Sequence, residues 1–172
     1  EHRLSPANAR ALPPPPPFAG QSHLVTLDWG AVWPARSGLV LHTVSARSQW
    51  ALQIARALRT NKSIVNINLA GQPLGAASAF DDGSAEARCE ARVGAELSAA
   101  LRAHWALEWI CLDSASLHDE AIGAILGAMA DHPAIQHMDI SKNHFGRKAA
   151  RALTSMLTQS RTLSELRLVS CE

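Results

Sequence analysis

Cysteine and histidine are the residues of this chain with the most reactive side chains. The sequence contains three cysteines, Cys89, Cys111 and Cys171, and eight histidines. Cys111 and His137 could act as a thiol nucleophile and its general base, which requires a hydrogen bond between the two side chains. No glycine turn that could donate hydrogen bonds to an oxyanion accompanies them. We therefore expect that the chain is not an enzyme.

A metal centre has equally little support in the sequence. His132, His137 and His144 are spaced five and seven residues apart, but they fall on a predicted helix end, a strand and a loop, so they do not converge on one point. There is no CxxC pair, and no GxSxG, P-loop, GxGxxG or HExxH motif occurs. We expect no metal and no cofactor.

The composition narrows the classes of function further. The 172 residues carry a formal net charge of +1, which removes the electrostatic case for a nucleic-acid binder. An apolar fraction of 47% argues against disorder throughout. The longest apolar run, residues 121–130, is too short for a membrane span of about 20 residues. The odd number of widely spaced cysteines indicates a reducing compartment, and so a cytoplasmic protein.

An internal repeat indicates the elements that must position these side chains. Three segments with the spacing apolar-x-x-apolar-x-apolar recur every 28 residues, and a fourth lies 43 residues further upstream. Apolar residues also lie ten and six positions before each segment, and that offset of four is helical. Each unit therefore reads as a short strand, a turn and a helix, and such units must stack to bury their apolar faces. The four segments are Ile64/Ile67/Leu69, Leu107/Ile110/Leu112, Ile135/Met138/Ile140 and Leu163/Leu166/Leu168.

The repeat has two irregularities. The longer step contains fifteen extra residues, which we assign to an insertion at about residues 76–90. A weaker fifth copy places Leu39 and Leu41 another 28 residues upstream, although Arg36 takes its first apolar position. The repeats are thus expected to span residues 36–172.

The clearest copy starts at Ile135 and reads IQHMDISKNHFG. It resembles the ribonuclease-inhibitor-like subfamily of leucine-rich repeats, whose LxxLxLxxNxLG pattern it carries with Asn143 at the asparagine position and Phe145 two residues later. The resemblance covers about residues 39–171. It implies an α/β leucine-rich-repeat solenoid of four to five 28-residue repeats, with a curved parallel sheet inside and helices outside. In the other units the asparagine position holds Gln72, Ala115 and Cys171.

In that architecture the residues between the apolar strand positions point to solvent on the concave face. Equivalent residues of successive strands should form rows at a spacing of about 4.8 Å. One predicted row is Asn66, Trp109, His137 and Glu165, and the next is Asn68, Cys111, Asp139 and Arg167.

Trp109 is the most informative member of these rows. An indole on such a face is typical of an interface anchor, and packing against the chain's own side chains is the alternative. His137 should lie between Trp109 and Glu165, and Asp139 should form a cross-strand ion pair with Arg167. The predicted partner-binding residues on this face are Asn66, Asn68, Glu108, Trp109, Asp113, His137, Asp139, Glu165 and Arg167.

The N-terminal residues do not follow the repeat. Five consecutive prolines, Pro13 to Pro17, predict a stiff proline-rich arm over residues 1–22. That arm is either a spacer or a ligand for a polyproline-binding partner. Residues 23–35 are expected to add an edge strand that caps the first repeat.

A basic cluster lies at the start of the last predicted helix. The positive end of that helix lies close to Arg147, Lys148 and Arg151, and it disfavours their charges unless a carboxylate nearby compensates them. The cluster is either a solvated outer face or a contact for an acidic protein surface.

These features together predict a non-catalytic protein–protein interaction scaffold, a fragment or subunit of a larger assembly, with other proteins as partners. The resemblance allows a cytoskeletal or ciliary axonemal setting. The alternatives are a small-GTPase regulator that resembles the Ran GTPase-activating proteins and a sensor or effector repeat module. Because the sequence stops directly after its last strand, with no closing helix or polar cap, we expect further repeats, a cap or a partner to cover that strand.

Overall fold

The computed structural model describes residues 26–28, 44–75 and 85–171. The proline-rich arm expected at 1–22 lies outside these residues, as do Leu39, Leu41 and the larger part of the expected insertion. In the described part of the chain, strands and helices alternate. The elements are β1 (Thr26–Asp28), α1 (Val44–Thr60), β2 (Asn66–Asn68), α2 (Ala85–Arg102), β3 (Trp109–Cys111), α3 (Asp119–Met129), β4 (His137–Asp139), α4 (Arg147–Gln159) and β5 (Glu165–Arg167).

The five strands form one parallel sheet in which they follow one another in chain order. Trp109 lies opposite His137, and His137 lies opposite Glu165, so the register matches the 28-residue period of the sequence. Successive helices pack side by side, α1 on α2, α2 on α3 and α3 on α4. A parallel sheet with helical crossovers confirms the predicted α/β class.

The middle residue of each central strand points toward the helices. Ile67, Ile110 and Met138 are at most 1% exposed and share one core with helical residues such as Leu58 and Ile125. Side chains alternate along a strand, so the residues that flank these positions point to the opposite side of the sheet. The period-two pattern of the sequence therefore separates a core side from a side on which polar residues can lie.

The structure corrects the expected start of the repeat. β1 pairs with β2 on the side that the fifth copy at Leu39 and Leu41 was expected to fill. Thr26 thus precedes its partner Asn66 by 40 residues instead of 28. The fifth copy would have placed Arg36 in an apolar position, where burial of an unpaired charge is costly. An edge strand does lie within residues 23–35, where one was expected.

The expected insertion also needs correction at its C-terminal end. α2 begins at Ala85, so residues 85–90 are helical and do not belong to an irregular insertion. The sequence there, AEARCE, is rich in alanine and glutamate, which favour a helix. α2 is 18 residues long, whereas α3 has 11 and α4 has 13.

The turn after each of the strands β2 to β5 contains a left-handed residue at the same position of the repeat. Gly71, Ser114, Lys142 and Ser170 have φ angles of 71°, 56°, 53° and 51°. This conformation costs a non-glycine residue about 1 kcal/mol. The backbone N–H groups of Ser114 and Lys142 donate to the next unit at 3.0 and 2.9 Å, and these bonds hold the turns in place.

Asn143 occupies the asparagine position of its repeat and is 1% exposed. Its Nδ2 donates to the carbonyl of Leu112 in the preceding unit at 2.8 Å and to two carbonyls of its own turn at 3.0 Å. Its Oδ1 accepts from the backbone N–H of Leu117 at 3.0 Å. In the last unit the Cys171 thiol replaces it and donates to the Ile140 carbonyl at 3.7 Å. One side chain thus satisfies the backbone of two turns.

A second set of buried polar side chains lies in the turns that lead from helix to strand. Asn61, His104 and His132 occupy equivalent positions and are at most 4% exposed. The Asn61 side chain accepts from the N–H groups of Ser63 at 2.9 Å and Ile64 at 3.2 Å. These bonds satisfy backbone N–H groups of the turn that follows the helix.

The histidines of this set also connect neighbouring units. His132 Nδ1 accepts from the N–H of Ile135 at 3.1 Å, so its Nε2 carries the proton and donates to the carbonyl of His104 at 2.8 Å. His104 Nε2 donates in the same way to the carbonyl of Leu58, and Thr162 Oγ1 donates to the carbonyl of His132 at 3.3 Å. We call His104, His132 and Thr162 the turn ladder.

The N-terminus of α4 is capped by the preceding helix. The Asp119 carboxylate accepts from the N–H groups of Gly146 at 3.0 Å, Lys148 at 3.1 Å and Ala149 at 2.7 Å. A Cβ at position 146 would lie 2.5 Å from this carboxylate, which explains the glycine. Glu120 forms an ion pair with Lys148. The carboxylates of Asp119 and Glu120 therefore compensate part of the positive charge at the start of α4.

Candidate partner-binding face

The open face is the side of the sheet opposite the helices, and it brings together the predicted partner-binding residues that lie within the strands. The pairing of the strands places Asn66, Trp109, His137 and Glu165 in one row and Asn68, Cys111, Asp139 and Arg167 in the next, as the sequence predicts. Glu108 directly precedes its strand, and Asp113 follows shortly after it. Strand β1 extends both rows with Thr26 and Asp28.

Trp109 borders a small depression on the open face. The indole is half-buried, and the depression encloses about 60 Å³. Its floor and rim combine an aromatic ring, a carboxylate pair, an imidazole and a guanidinium, a mixture that can hold both an apolar and a charged group. The lining residues are Trp109, His137, Met138, Asp139, Glu165 and Arg167.

Glu165 is the centre of the ion pairs in this depression. One carboxylate oxygen accepts from Arg167 Nε at 2.6 Å, and the other lies 3.8 Å from His137 Nε2. The hydrogen bond to Glu165 raises the pKa of the Arg167 guanidinium above its usual value. Glu165 thus orients two side chains of different strands.

The expected ion pair between Asp139 and Arg167 does not form. Arg167 pairs with Glu165, which lies two residues earlier on the same side of the same strand. Asp139 Oδ1 instead accepts from the backbone N–H of Ser141 at 3.0 Å. Side chains at positions i and i+2 share a face of a strand, so this pairing competes with the cross-strand one. The outcome leaves the Asp139 carboxylate on the open face without a cationic partner among the described residues.

The remaining polar contacts of the open face lie at its two margins. Asn68 Nδ2 donates to Asp28 Oδ1 at 2.9 Å. Lys142 Nζ lies 3.2 Å from Asp113 Oδ1. These contacts hold side chains of adjacent strands together, and they extend the polar surface beyond the depression.

Among the described residues, the open face and its margins carry more negative than positive charge. Two of its carboxylates pair with its two cations, Arg167 and Lys142. Glu108 is exposed and has no cation of the described residues beside it. An acidic face of this kind attracts cationic groups of a partner. The carboxylates are Asp28, Glu108, Asp113, Asp139 and Glu165.

Cys111 departs from the expectation that its row points freely to solvent. It is 8% exposed, and burial raises the pKa of its thiol. It lies between Asn68 and Asp139 in the sheet, whereas His137 lies in the neighbouring row. A thiol with a raised pKa forms little of the thiolate that nucleophilic catalysis requires.

Two features of the surface could not be predicted from the sequence. Thr26 and Asp28 belong to the open face, but without a 28-residue spacing to β2 nothing in the sequence aligned them with it. Trp105 is 68% exposed in the turn between α2 and β3 and does not line the depression. Its sequence neighbours, AHWA, include a single polar residue, so they do not signal this exposure.

The three histidines that were considered as metal ligands lie in different parts of the structure. His144 stacks on His118 with ring centroids 4.4 Å apart, while His132 belongs to the turn ladder. Within residues 26–28, 44–75 and 85–171, no three His, Cys, Asp or Glu side chains are grouped so as to hold a metal ion. None of the helices in that part of the chain has both the length and the apolar character of a membrane span.

Comparisons with known proteins add no further assignment. No protein-family model matches the chain, and no curated protein matches it significantly.

Proposed function

We propose that this chain is a non-catalytic protein–protein interaction module of the leucine-rich-repeat type, and that its open face binds the partner. The observation that carries the proposal is the set of rows across β1 to β5, in which Trp109, His137 and Glu165 adjoin one another around one depression. A regular sheet displays such side chains at fixed spacings on a rigid support, which favours recognition of another surface.

The chemistry of the open face favours a partner that presents cationic side chains. Trp109 offers a ring face for a guanidinium or an ammonium group, and Asp139 offers a carboxylate in the same depression. Glu108 adds a second carboxylate beside the indole. A partly buried aromatic residue surrounded by charged side chains is typical of a binding hot spot.

The leucine-rich-repeat assignment rests on the sequence pattern together with geometry that agrees with it. Strands β2 to β5 keep the register of the repeat, and Asn143 makes the buried hydrogen bonds for which its position in the pattern is suited. A cytoplasmic scaffold within a larger assembly, including a cytoskeletal or ciliary one, follows from the resemblance alone. No feature of the described residues favours the small-GTPase regulator over it.

The non-catalytic part of the proposal is supported by the state of the candidate nucleophile. Cys111 is buried with a raised thiol pKa, and its neighbours in the sheet are Asn68 and Asp139. We therefore assign the open face a role in binding and not in catalysis.

Quantitative affinity purification with the intact chain tests the proposal. The variant that carries Trp109→Ala and Glu165→Ala removes the indole and the carboxylate from the depression, and we expect it to lose the proteins that the unaltered chain retains. Trp105→Ala is the matched control, because it removes an exposed tryptophan elsewhere. Equal recovery of the same proteins by the double variant and the control would remove the open face from the account.

A further inference from the structure

The depression of the open face contains two carboxylates that differ in their partners. Glu165 is occupied, since one oxygen accepts from Arg167 Nε at 2.6 Å and the other lies 3.8 Å from His137 Nε2. Asp139 accepts from the backbone N–H of Ser141 at 3.0 Å, and no cation of the described residues forms an ion pair with it. A carboxylate has about four acceptor positions. Asp139 therefore keeps acceptors that a ligand can use.

Trp109 and Asp139 lie on the same side of two adjacent strands. Trp109 is opposite His137 and Asp139 is opposite Cys111, so Trp109 and Asp139 are diagonal neighbours. A strand spacing of about 4.8 Å and a rise of about 3.3 Å per residue place their Cα atoms about 8 Å apart. A cation bound to an indole lies within about 6 Å of the ring centre, and it bonds to a carboxylate at about 2.8 Å. One planar cation can therefore contact both side chains. Their strands, β3 and β4, each have a neighbour on both sides.

The depression has the size and the charge to hold one small cation. Its volume of about 60 Å³ corresponds to about four water molecules, which is close to the size of a guanidinium group. When His137 is counted as neutral, the carboxylates of Asp139 and Glu165 and the guanidinium of Arg167 leave one net negative charge. A single monovalent cation would therefore neutralise the depression.

The chain has a guanidinium of its own that could occupy the position beside Asp139. Arg167 lies opposite Asp139 in the sheet, but its Nε bonds to Glu165, and that bond raises the pKa of the guanidinium. The contact with Glu165 holds Arg167 along its own strand. It thereby leaves the half-buried carboxylate of Asp139 accessible from solvent.

The shape of the depression favours a guanidinium over an ammonium group. A guanidinium is planar, stacks on aromatic rings and can donate two parallel N–H bonds to a carboxylate, whereas an ammonium group is a compact and strongly hydrated point charge. The Ser141 N–H fixes one oxygen of Asp139, so the carboxylate is oriented before a ligand arrives. The half-buried indole of Trp109 is likewise restricted. Groups that are already ordered lose less entropy on binding.

We propose that the partner of the open face inserts one arginine side chain into the depression, where its guanidinium stacks on Trp109 and forms paired hydrogen bonds with Asp139. This inference rests on the proposed function and names the group that anchors the partner. It also gives a modification of the partner a consequence. Methylation of that arginine would keep its charge but remove N–H groups that the paired bonds require.

Small arginine derivatives can test the anchor without knowledge of the partner. N-acetylarginine amide is the probe, and N-acetyllysine amide is the control of equal charge. Each is titrated at constant ionic strength into the intact 172-residue chain, and the indole N–H resonance of Trp109 is followed by two-dimensional NMR. The spectrum of Trp109→Phe identifies that resonance among those of the five tryptophans. A third probe, dimethylated on the guanidinium, tests the paired hydrogen bonds.

We expect the arginine probe to shift the Trp109 resonance in a saturable way. The lysine and dimethylated probes should bind about fivefold more weakly, the effect expected for the loss of one charge-assisted hydrogen bond. Asp139→Asn keeps an acceptor for the Ser141 N–H but removes the charge, and it should weaken binding of the arginine probe about fivefold. Asp28→Asn makes the same change of charge on β1, two strands from Trp109, and should leave binding unchanged.

Three results would overturn the proposal. The first is equal binding of the arginine probe and either of the other two probes. The second is unchanged binding by the Asp139→Asn variant, and the third is no saturable shift of the Trp109 resonance up to the solubility limit of the arginine probe.

Failure of the arginine anchor can be distinguished from failure of the proposed function. The affinity purification with the double variant Trp109→Ala, Glu165→Ala uses whole partner proteins and no arginine probe. Loss of those proteins from the double variant, together with equal binding of the three probes, would refute the anchor and leave the open face as the binding surface.

Discussion

Histidine occurs in two contrasting regions of this molecule. His104 and His132 lie buried in the turns from helix to strand, where each connects its own turn to the unit before it. His137 lies half-buried on the open face, 3.8 Å from Glu165. The first two imidazoles are occupied by backbone groups, whereas the third faces a surface that another molecule can reach.

The contrast shows how one repeat serves stability and recognition with the same types of side chain. A buried polar group must keep all its hydrogen bonds, because each one that is lost leaves a desolvated partner. An exposed polar group exchanges its partners with water at little cost. Substitutions in the turns should therefore change stability, and substitutions on the open face should change binding.

The strongest test of this contrast is Asn143→Ala, which removes a buried side chain that bonds the backbone of two units. We expect a loss of about 2–4 kcal/mol in the free energy of unfolding, since several buried backbone groups lose their partner. Urea unfolding of the intact chain measures it. Gln136→Ala, an exposed position just before β4, is the control and should cost less than about 0.5 kcal/mol. A small effect of Asn143→Ala would show that the turns are not what holds the units together.

Acid should affect the buried histidines next. Burial lowers the pKa of His104 and of His132 below the usual histidine value of about 6.5. The unfolded chain therefore takes up protons more readily, so the stabilising contribution of the neutral rings is complete above pH 6.5 and is lost as the pH falls below it. Protonation of Nδ1 also removes the acceptor for the Ile135 N–H. We expect the free energy of unfolding to decrease below about pH 6.5.

The repeat itself supplies the control for that experiment. Asn61 makes the equivalent turn bonds without a titratable group. The double variant His104→Asn, His132→Asn should therefore have a flatter pH dependence between pH 6.5 and 5 than the unaltered chain. An unchanged slope would assign the acid sensitivity to other groups.

The smallest effect is expected on the open face. Glu165→Ala removes an ion pair whose two side chains are 44% and 64% exposed. We expect a change in the free energy of unfolding below about 0.5 kcal/mol, because solvent screens such pairs. Thermal or urea unfolding would show it, and a cost comparable with that of Asn143→Ala would erase the distinction between the two regions.

The rows of the open face could be predicted from the sequence because they depend only on a period. Once Trp109, His137 and Glu165 were found 28 residues apart, parallel pairing placed them side by side. The pairing of Arg167 with Glu165 instead of Asp139 could not be predicted in this way. It depends on side-chain rotamers and on the competing bond from the Ser141 N–H to Asp139.

The turns were harder to predict because their positions are conserved in geometry and not in residue type. Gly71, Ser114, Lys142 and Ser170 share a left-handed φ, yet only the glycine signals it. The same holds for Asn61 and His132, which make equivalent bonds with different side chains. The edge strand itself was predicted, but its direct pairing with β2 was missed because the segment before β2 does not keep the 28-residue spacing.

Site-specific photo-crosslinking is the most direct test of the claim that the open face binds a partner. A photoreactive amino acid in place of Asn66, which lies opposite Trp109 in the sheet, reports on the open face, and the same residue in place of Trp105 reports on the turn between α2 and β3. We predict crosslinks to another protein from position 66 that are absent at position 105. Crosslinks from position 105 alone, or equally from both, would contradict the account.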